Sequence, residues 1–212
     1  MVYIFENADA VSLELLDKFN FIYTEERIEK SRKYLKEGDR KKCLMAYIVL
    51  LYALKSEYDI FEKIKFEYKI NKKPFLEKYK NIFFNISHSS SEIAVALSKN
   101  NVGVDIERII YDYNSIADSV FSHEEKNYIY ECDSEKRATK LWTFKESYLK
   151  YKGTGLTDDI KKYQFAYQDD VFEKYGCLFK NFSTEKYYVS VCSETDMKIK
   201  YIDVKDIVKL VR

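Results

Sequence analysis

VGVDIE, at residues 102–107, is the stretch of this 212-residue chain from which the fold and the chemistry are best predicted. Its apolar residues alternate with the others, which is the period of a β-strand with one buried face. The valine and isoleucine side chains would face the core. Gly103, Asp105 and Glu107 would face the opposite side, where Gly103 would leave room for a ligand to approach the backbone.

Asp105 and Glu107 would lie about 7 Å apart at their Cα atoms on such a strand. Two neighbouring carboxylates repel each other unless a cation neutralises them. Oxygen ligands of this kind suit Mg²⁺, which binds a few carboxylates together with water and phosphate oxygens. The alternative is a solvated strand face on which Glu107 pairs with a lysine or arginine, and the hexapeptide alone does not exclude it.

A predicted helix, with the sequence KLWTFKESYLKYKG at residues 140–153, carries a further acid and several bases. Trp142, Glu146 and Lys150 are spaced by four residues and therefore share one helix face. Trp142 would anchor this face, Glu146 would offer a third carboxylate, and Lys150 would add a cation, with Lys145 beside them. The alternative is an exposed pair between Glu146 and Lys150, which contributes about 0.2–0.5 kcal/mol.

FNISHS, at residues 84–89, combines a histidine with hydroxyl groups. A short apolar strand is predicted at residues 82–86, followed by a polar loop at residues 87–91 that carries Ser87 and His88. Such a loop can bind a phosphate, although a hydrogen-bonded histidine without a ligand is the commoner case. A Ser-His-Asp triad is not predicted, because adjacent serine and histidine side chains diverge and no GxSxG segment is present.

The order of the predicted elements, helix then strands and again helices then strands, indicates an α+β fold with two lobes of similar size that meet near Val102. Asn100-Asn101 is predicted to form a hairpin turn that pairs the strand at residues 93–97 with the strand that follows. The other predictions are a helical segment at residues 24–54 broken at Gly38 and Asp39, a helix at residues 134–152, and strands at residues 64–70, 163–167, 186–192 and 198–202.

Charge and hydropathy exclude several classes of protein. The net charge is +1 from 36 basic and 35 acidic residues, so the basic excess typical of nucleic-acid binding is missing. The chain has no run of about 18 apolar residues, and its amino terminus lacks the basic start and apolar stretch of a signal peptide. We therefore expect no nucleic-acid or membrane partner and a cytoplasmic location. The four cysteines form no CxxC pair, which argues against structural zinc.

FNISHS, GVDIE and WTFKESYLK together resemble, in order and separation, the motifs of the surfactin-synthetase-activator (Sfp) type of 4'-phosphopantetheinyl transferase. The resemblance implies two similar α+β lobes, residues 1–101 and 102–212, related by a pseudo-twofold axis, with the active site in the cleft between them. It also implies magnesium-dependent transfer of 4'-phosphopantetheine from coenzyme A to a serine of an apo acyl or peptidyl carrier protein, with release of 3',5'-ADP.

The resemblance further implies roles for individual residues. Asp105, Glu107 and Glu146 would be the metal ligands. Asp105, Glu146 and Lys150 would be catalytic, with Glu146 as the base, directly or through a water, and Lys150 beside the pyrophosphate and the leaving group. The first lobe would contact coenzyme A, with His88 at its 3'-phosphate, and the second would hold the metal and the docking surface. The predicted contacts to coenzyme A are Arg27, Lys30, Lys42, Lys73, Ser87, His88, Asp105, Lys145 and Lys150.

Two features depart from the family pattern. Cys43 stands where relatives often have a hydroxyl residue, which would remove one hydrogen bond to a phosphate. The residues after His88 are all serines, where a small glycine is usual. Neither change touches the predicted metal ligands.

The carrier protein is expected to dock through an acidic helix on the segment at residues 111–120, and the enzyme to be a monomer. A magnesium-dependent nuclease is an alternative, but such enzymes commonly carry a lysine two residues after an acid, where Ile109 stands in this chain. A non-enzymatic module that binds coenzyme A or carrier proteins is the other alternative. Retention of the three acids and Lys150 argues against it.

Overall fold

The computed structural model describes residues 1–68, 73–157 and 159–211. Its helices are α1 (Leu13–Asp17), α2 (Glu25–Arg32), α3 (Glu37–Tyr58), α4 (Asn114–Val120), α5 (His123–Glu131), α6 (Ser134–Lys152) and α7 (Val204–Val208). Its strands are β1 (Val2–Phe5), β2 (Phe66–Tyr68), β3 (Pro74–Leu76), β4 (Phe83–Ser89), β5 (Glu92–Ser98), β6 (Val102–Arg108), β7 (Val171–Lys174), β8 (Cys177–Ser183), β9 (Tyr187–Ser193) and β10 (Ile199–Ile202). The α+β fold class predicted from the sequence is confirmed.

The first sheet has the strand order β10-β1-β5-β4 and packs against α3. α3 is apolar almost all round from residue 43 to residue 54 and is buried over most of that length. Phe5, Val95 and Leu97 of the sheet join the core cluster that α3 forms. β1 pairs antiparallel with β5 and parallel with β10, so a strand from the far end of the chain completes this sheet.

The second sheet has the strand order β6-β9-β8-β7, and α6 packs across it. Gly103 of β6 lies directly beneath this helix. A Cβ atom at Gly103 would come 2.0 Å from Ser147 O and 2.4 Å from Tyr151 N. The prediction that Gly103 leaves room for a ligand is therefore wrong, because the backbone of α6 occupies that room.

The two sheets pack on each other through their remaining faces. Alternate residues of β1 and β5 share one buried cluster with Val102, Val104 and Ile106 of β6 and with apolar residues of β9. The predicted inward orientation of the valine and isoleucine side chains of β6 is thereby confirmed. The layers follow in the order α3, first sheet, second sheet and α6, because each sheet offers one face to a helix and the other to its neighbour.

β4 and β6 are edge strands, and they lie side by side where the two sheets meet. On this edge of β6, side chains of β4 take the place of a backbone ladder. Val104 N–H donates to Asn85 Oδ1 at 2.9 Å, and Arg108 N–H donates to Ser89 Oγ at 3.2 Å. The predicted pairing of β5 with β6 is wrong, since β6 forms its antiparallel ladder with β9 on the other edge.

Two predictions in regions rich in aromatic or hydroxyl residues are also wrong. β4 continues through Ser89, so Ser87 and His88 lie on a strand and not in a loop. The segment at residues 163–167 is not a strand, although Phe165 is buried beside α6. Its alternating aromatic residues pack from a loop, and the neighbouring strands are β7 and β8.

Other boundaries differ by a few residues. The predicted helical segment at residues 24–54 is broken at residues 33–36, which precede Gly38. Gly38 and the acidic Asp39 lie in the first turn of α3, where negative charge is favourable. The strand predicted at residues 64–70 is described only as β2, and the last two residues of that prediction lie outside the described part of the chain.

The predicted lobe boundary between residues 101 and 102 separates β5 from β6, and this division and its pseudo-twofold axis stay predictions. β10 and α7, from beyond that boundary, pack with the first sheet and with α3. Over residues 1–68, 73–157 and 159–211, no helix is both long and apolar enough to cross a membrane.

Gly103→Ala should lower the free energy of unfolding by about 2 kcal/mol or more, because a methyl group there forces α6 away from β6. Urea unfolding followed by circular dichroism measures the change. Gly38→Ala is the matched control, since its Cβ would meet only Asp9 Oδ1 at 3.7 Å, an ordinary contact. A Gly103→Ala variant as stable as the parent would contradict the close packing of helix on strand.

Candidate active site

Three carboxylates lie between β6 and α6. Asp105 and Glu107 project from the face of β6 that carries Gly103, and Glu146 projects from α6. Asp105 is only 1% exposed, and the two glutamates are half-buried, so the solvated-strand alternative is wrong. Burial, and after it the charge of Asp105, raises the pKa of both Glu107 and Glu146 to about 7. The acids are therefore close enough to repel one another.

Lys150 joins this group from the last turns of α6. Its Nζ donates to Asp105 Oδ1 at 2.6 Å and to Ser87 Oγ at 2.9 Å, and Ser87 Oγ itself donates to Asp105 Oδ1 at 2.8 Å. Lys150 thus pairs across the sheet edge with Asp105, and not along the helix with Glu146. α6 carries Trp142, Glu146 and Lys150 on one face, as predicted, and Trp142 lies close enough to Glu107 to lower its pKa.

The charge balance of this cluster and two of its oxygens fit a divalent cation. One ammonium group faces three carboxylates, which leaves two negative charges when all are ionised. Asp105 Oδ2 and Glu146 Oε1 are buried without a hydrogen-bond partner, an arrangement that costs free energy unless a ligand meets them. In the described part of the chain, no group of three or more histidine, cysteine, aspartate or glutamate side chains has its donor atoms close enough together to hold a metal ion. The residues present fit Mg²⁺, and the assignment of three ligands stays a prediction.

A cavity of about 250 Å³ lies on the other side of β4, between α2, α3 and β2. Arg27 and Lys30 of α2, Cys43 of α3 and His88 of β4 line it. Arg27 is 8% exposed as a residue, and its guanidinium lies 4.8 Å from the ring centre of Phe66 and donates to Cys43 Sγ at 3.7 Å. None of the described carboxylates pairs with it. A buried cation without an acidic partner makes this cavity suited to an anion such as a phosphate.

Alternation along β4 explains why its polar residues serve two places. His88 faces the cavity, whereas Ser87 faces the carboxylates. Lys42 of α3 lies close enough to His88 to act on it: burial first, and then the charge of Lys42, lowers the pKa of His88. Lys42 also pairs with Asp39 at 2.9 Å. The structure thus brings Arg27, Lys30 and His88 together around one cavity, with Lys42 near its edge.

Lys73 is engaged elsewhere. Its Nζ donates to Asn101 Oδ1 at 2.6 Å, to Tyr151 O at 2.9 Å and to Val102 O at 3.1 Å. The ammonium group therefore ties the beginning of β6 to the end of α6. Its predicted contact with coenzyme A stays a prediction, and would require these bonds to be exchanged.

Lys145 points away from both the carboxylates and the basic cavity. Its side chain is fully buried, and its Nζ pairs with Glu125 Oε2 at 2.9 Å and donates to the carbonyl oxygens of Ile160, at 3.0 Å, and Tyr163. The helix turns by about 100° between Lys145 and Glu146, so the two side chains leave α6 on different sides. This geometry argues against the predicted contact between Lys145 and coenzyme A, and gives the residue a structural role.

Lys145→Met should lower the free energy of unfolding by about 3–5 kcal/mol, because it leaves the charge of Glu125 buried and unpaired. Thermal and urea unfolding measure the loss. A second change, Glu125→Gln, removes that charge and keeps an oxygen that can accept the hydrogen bond from the Phe165 N–H. The double variant should therefore recover more than half of the lost free energy of unfolding. No recovery in the double variant would contradict the ion-pair explanation.

Sequence analysis did not single out Asn85 and Ser89, which the structure places beside β6. Both lie on the same face of β4 as Ser87, and Ser89 Oγ donates to Glu107 Oε2 at 2.6 Å. A strand period of two through residues 85, 87 and 89 was the available signal. It was missed because the strand was predicted to end at residue 86.

Comparison with known proteins agrees with this site. Residues 101–198, which include α6 and all four strands of the second sheet, match the model of the 4'-phosphopantetheinyl transferase superfamily. The chain is 25% identical to the 4'-phosphopantetheinyl transferase Sfp of Bacillus subtilis strain 168 over 76% of this chain and 73% of the relative. It is 27% identical to the 4'-phosphopantetheinyl transferase gsp of Aneurinibacillus migulanus over 75% and 77%, respectively.

A relative from Saccharomyces cerevisiae, an L-aminoadipate-semialdehyde dehydrogenase-phosphopantetheinyl transferase, is 30% identical over a shorter region, 50% of this chain and 43% of the relative. The family match covers β6 and α6, the elements that bring the three acids and Lys150 together. Residues 101–198 are therefore similar to the 4'-phosphopantetheinyl transferase superfamily, and about three quarters of the chain is similar to proteins named 4'-phosphopantetheinyl transferases.

Proposed function

We propose that this protein transfers 4'-phosphopantetheine from coenzyme A to a serine of an apo acyl or peptidyl carrier protein, with Mg²⁺ as cofactor and 3',5'-ADP as the released product. The observation that carries the proposal is the placement of two complementary sites on the two faces of β4. A cavity lined by cations lies on one face, and a buried acidic cluster lies at the other. A substrate with separate phosphate groups spans such a pair of sites.

The basic cavity holds the nucleotide end of coenzyme A in this proposal. The Arg27 guanidinium, which has aromatic rings around it and no described carboxylate partner, binds a phosphate by charge-assisted hydrogen bonds. His88 lies on the same wall, and we assign it to the 3'-phosphate. Cys43 replaces a hydroxyl donor there, so the cavity relies more on Arg27 and Lys30.

Lys150 is the group that acts at the bond to be broken. Its ammonium bridges Ser87 and Asp105 at the edge between β4 and β6, where the pyrophosphate passes from the cavity to the acids. There it orients the pyrophosphate and stabilises the charge that develops on the departing 3',5'-ADP. Ser87 keeps it in that position.

Glu146 is the proposed base, directly or through a water. Its carboxylate is half-buried, and burial raises its pKa to about 7, which suits a group that accepts the proton of the carrier serine. Mg²⁺ bound by Asp105, Glu107 and Glu146 would supply neutralisation of the pyrophosphate charge. We assign carrier docking to the segment at residues 111–120, which contains α4 and begins at Tyr111, a side chain that is 79% exposed.

Asp105→Ala and Glu146→Ala should each reduce transfer at least about a hundredfold, because each removes a charge that the reaction requires at the pyrophosphate. The assay incubates the enzyme with coenzyme A, Mg²⁺ and a panel of apo carrier proteins, and detects the added phosphopantetheine by intact mass spectrometry. Glu173→Ala, at an exposed acid of β7, is the matched control and should leave transfer unchanged.

EDTA should abolish transfer by the parent protein, and added Mg²⁺ should restore it. Near-normal transfer by either active-site variant, with a native circular dichroism spectrum, would contradict the assignment of the acids. Failure of the folded parent protein to modify any carrier, with intact binding of coenzyme A, would favour a binding module instead.

Arg27→Met should weaken coenzyme A binding by about ten- to a hundredfold, since hydrogen bonds to a charged group contribute about 1.5–3 kcal/mol. Isothermal titration calorimetry measures the dissociation constant. Arg32→Met makes the same change in charge on the same helix at an exposed position that does not line the cavity. Equal affinities of the two folded variants would overturn the placement of the nucleotide end.

A further inference from the structure

Ser89, the last residue of β4, connects two groups of β6 through a single hydroxyl. Its Oγ donates to Glu107 Oε2 at 2.6 Å and accepts the backbone N–H of Arg108 at 3.2 Å. A serine hydroxyl has one proton to donate, so acceptance of the N–H directs that proton to the carboxylate. The orientation of the hydroxyl is thus fixed from both sides.

The backbone that holds Ser89 is itself held firmly. Arg108 forms two hydrogen bonds to Glu92, at 2.9 Å to Oε2 and at 2.7 Å to Oε1, and one to Ser91 Oγ at 3.0 Å. Glu92 is 3% exposed, and Ser91 Oγ also donates to its Oε1 at 3.0 Å. The ion pair between Arg108 and Glu92 therefore fixes the end of β6 to the beginning of β5, next to Ser89.

Glu107 is the acid at which this fixation matters most. It lies near the end of β6, it is half-buried, and the charge of Asp105 opposes its own. Without a donor on one oxygen, its side chain could turn away from Asp105 to reduce that repulsion. The bond from Ser89 opposes this movement by engaging one oxygen of the carboxylate.

We propose that Ser89 is a positioning residue that holds the Glu107 carboxylate in the orientation for binding a divalent cation. This inference rests on the function proposed above, because it concerns the same acidic cluster. Ser89 does not touch the reacting groups in this proposal. Its role is to engage one Glu107 oxygen and to leave the other for the cation, as a second hydrogen-bonded group commonly does for a metal-binding carboxylate.

The test uses direct binding of Mn²⁺ as a substitute for Mg²⁺, measured by electron paramagnetic resonance of the free ion, in the presence and absence of coenzyme A. Ser89→Ala should weaken Mn²⁺ binding about tenfold or more. Ser89→Thr keeps the hydroxyl, so its Mn²⁺ affinity should stay within about threefold of that of the parent, which is clearly less than the loss expected for Ser89→Ala. The Mg²⁺ concentration for half-maximal transfer should rise in parallel for Ser89→Ala.

Ser91→Ala is the matched control. It removes a hydroxyl two residues after Ser89. The Ser91 hydroxyl belongs to the same network around Arg108, but it contacts Glu92 and not Glu107. Its thermal stability should fall about as much as that of Ser89→Ala, while its Mn²⁺ affinity should equal that of the parent. A loss of Mn²⁺ affinity specific to Ser89→Ala, restored by threonine, separates positioning from general stabilisation.

The outcomes distinguish this inference from the proposed function. Equal Mn²⁺ affinity in the parent and in Ser89→Ala overturns the positioning role, even if the parent transfers phosphopantetheine normally. An equal loss in Ser91→Ala also overturns it, since the effect would then come from the strand end as a whole. If Mn²⁺ binding depends on Ser89 but the parent protein modifies no carrier, only the proposed function is refuted. A parent that binds no Mn²⁺ refutes both.

Discussion

The hydrogen bonds from β4 side chains to the free edge of β6 are the constraint on which the rest of the structure depends. β6 has one neighbouring strand, β9, and its outward N–H groups need acceptors that a second strand would ordinarily supply. Asn85 and Ser89 supply them. Because these acceptors are side chains, the two sheets can meet without merging, and the space along their junction is available to Ser87, Lys150 and the acids.

The acidic cluster is shielded from solvent by α6. The helix can lie on β6 only because residue 103 is a glycine, and the resulting contact buries Asp105 almost completely. The same helix then brings Glu146 and Lys150 to the cluster from above. One close contact between a helix and a strand thus sets both the spacing of the charged groups and the low polarity that makes their interactions strong.

The alternation in residues 102–107 and the four-residue spacing in α6 predicted which side chains share a face, because both periods are local properties of the chain. That the strand and the helix bring their acids together was implied by the family resemblance. The pairing of β6 was not predictable in the same way, since the choice between β5 and β9 depends on contacts far apart in sequence. Lys145 was misplaced for a related reason. It is adjacent to Glu146 in sequence, but one residue along a helix turns the side chain by about 100°, and its partner Glu125 belongs to another helix.

The position of β10 has a consequence for the biosynthesis of this protein. β1 is formed by residues 2–5, yet its parallel partner is formed by residues 199–202. During translation, the outer edge of β1 therefore stays unpaired until almost the whole described chain has left the ribosome. An open apolar edge of this kind can pair with another chain, so the nascent protein is exposed to misassembly, and to chaperone binding, until β10 has emerged.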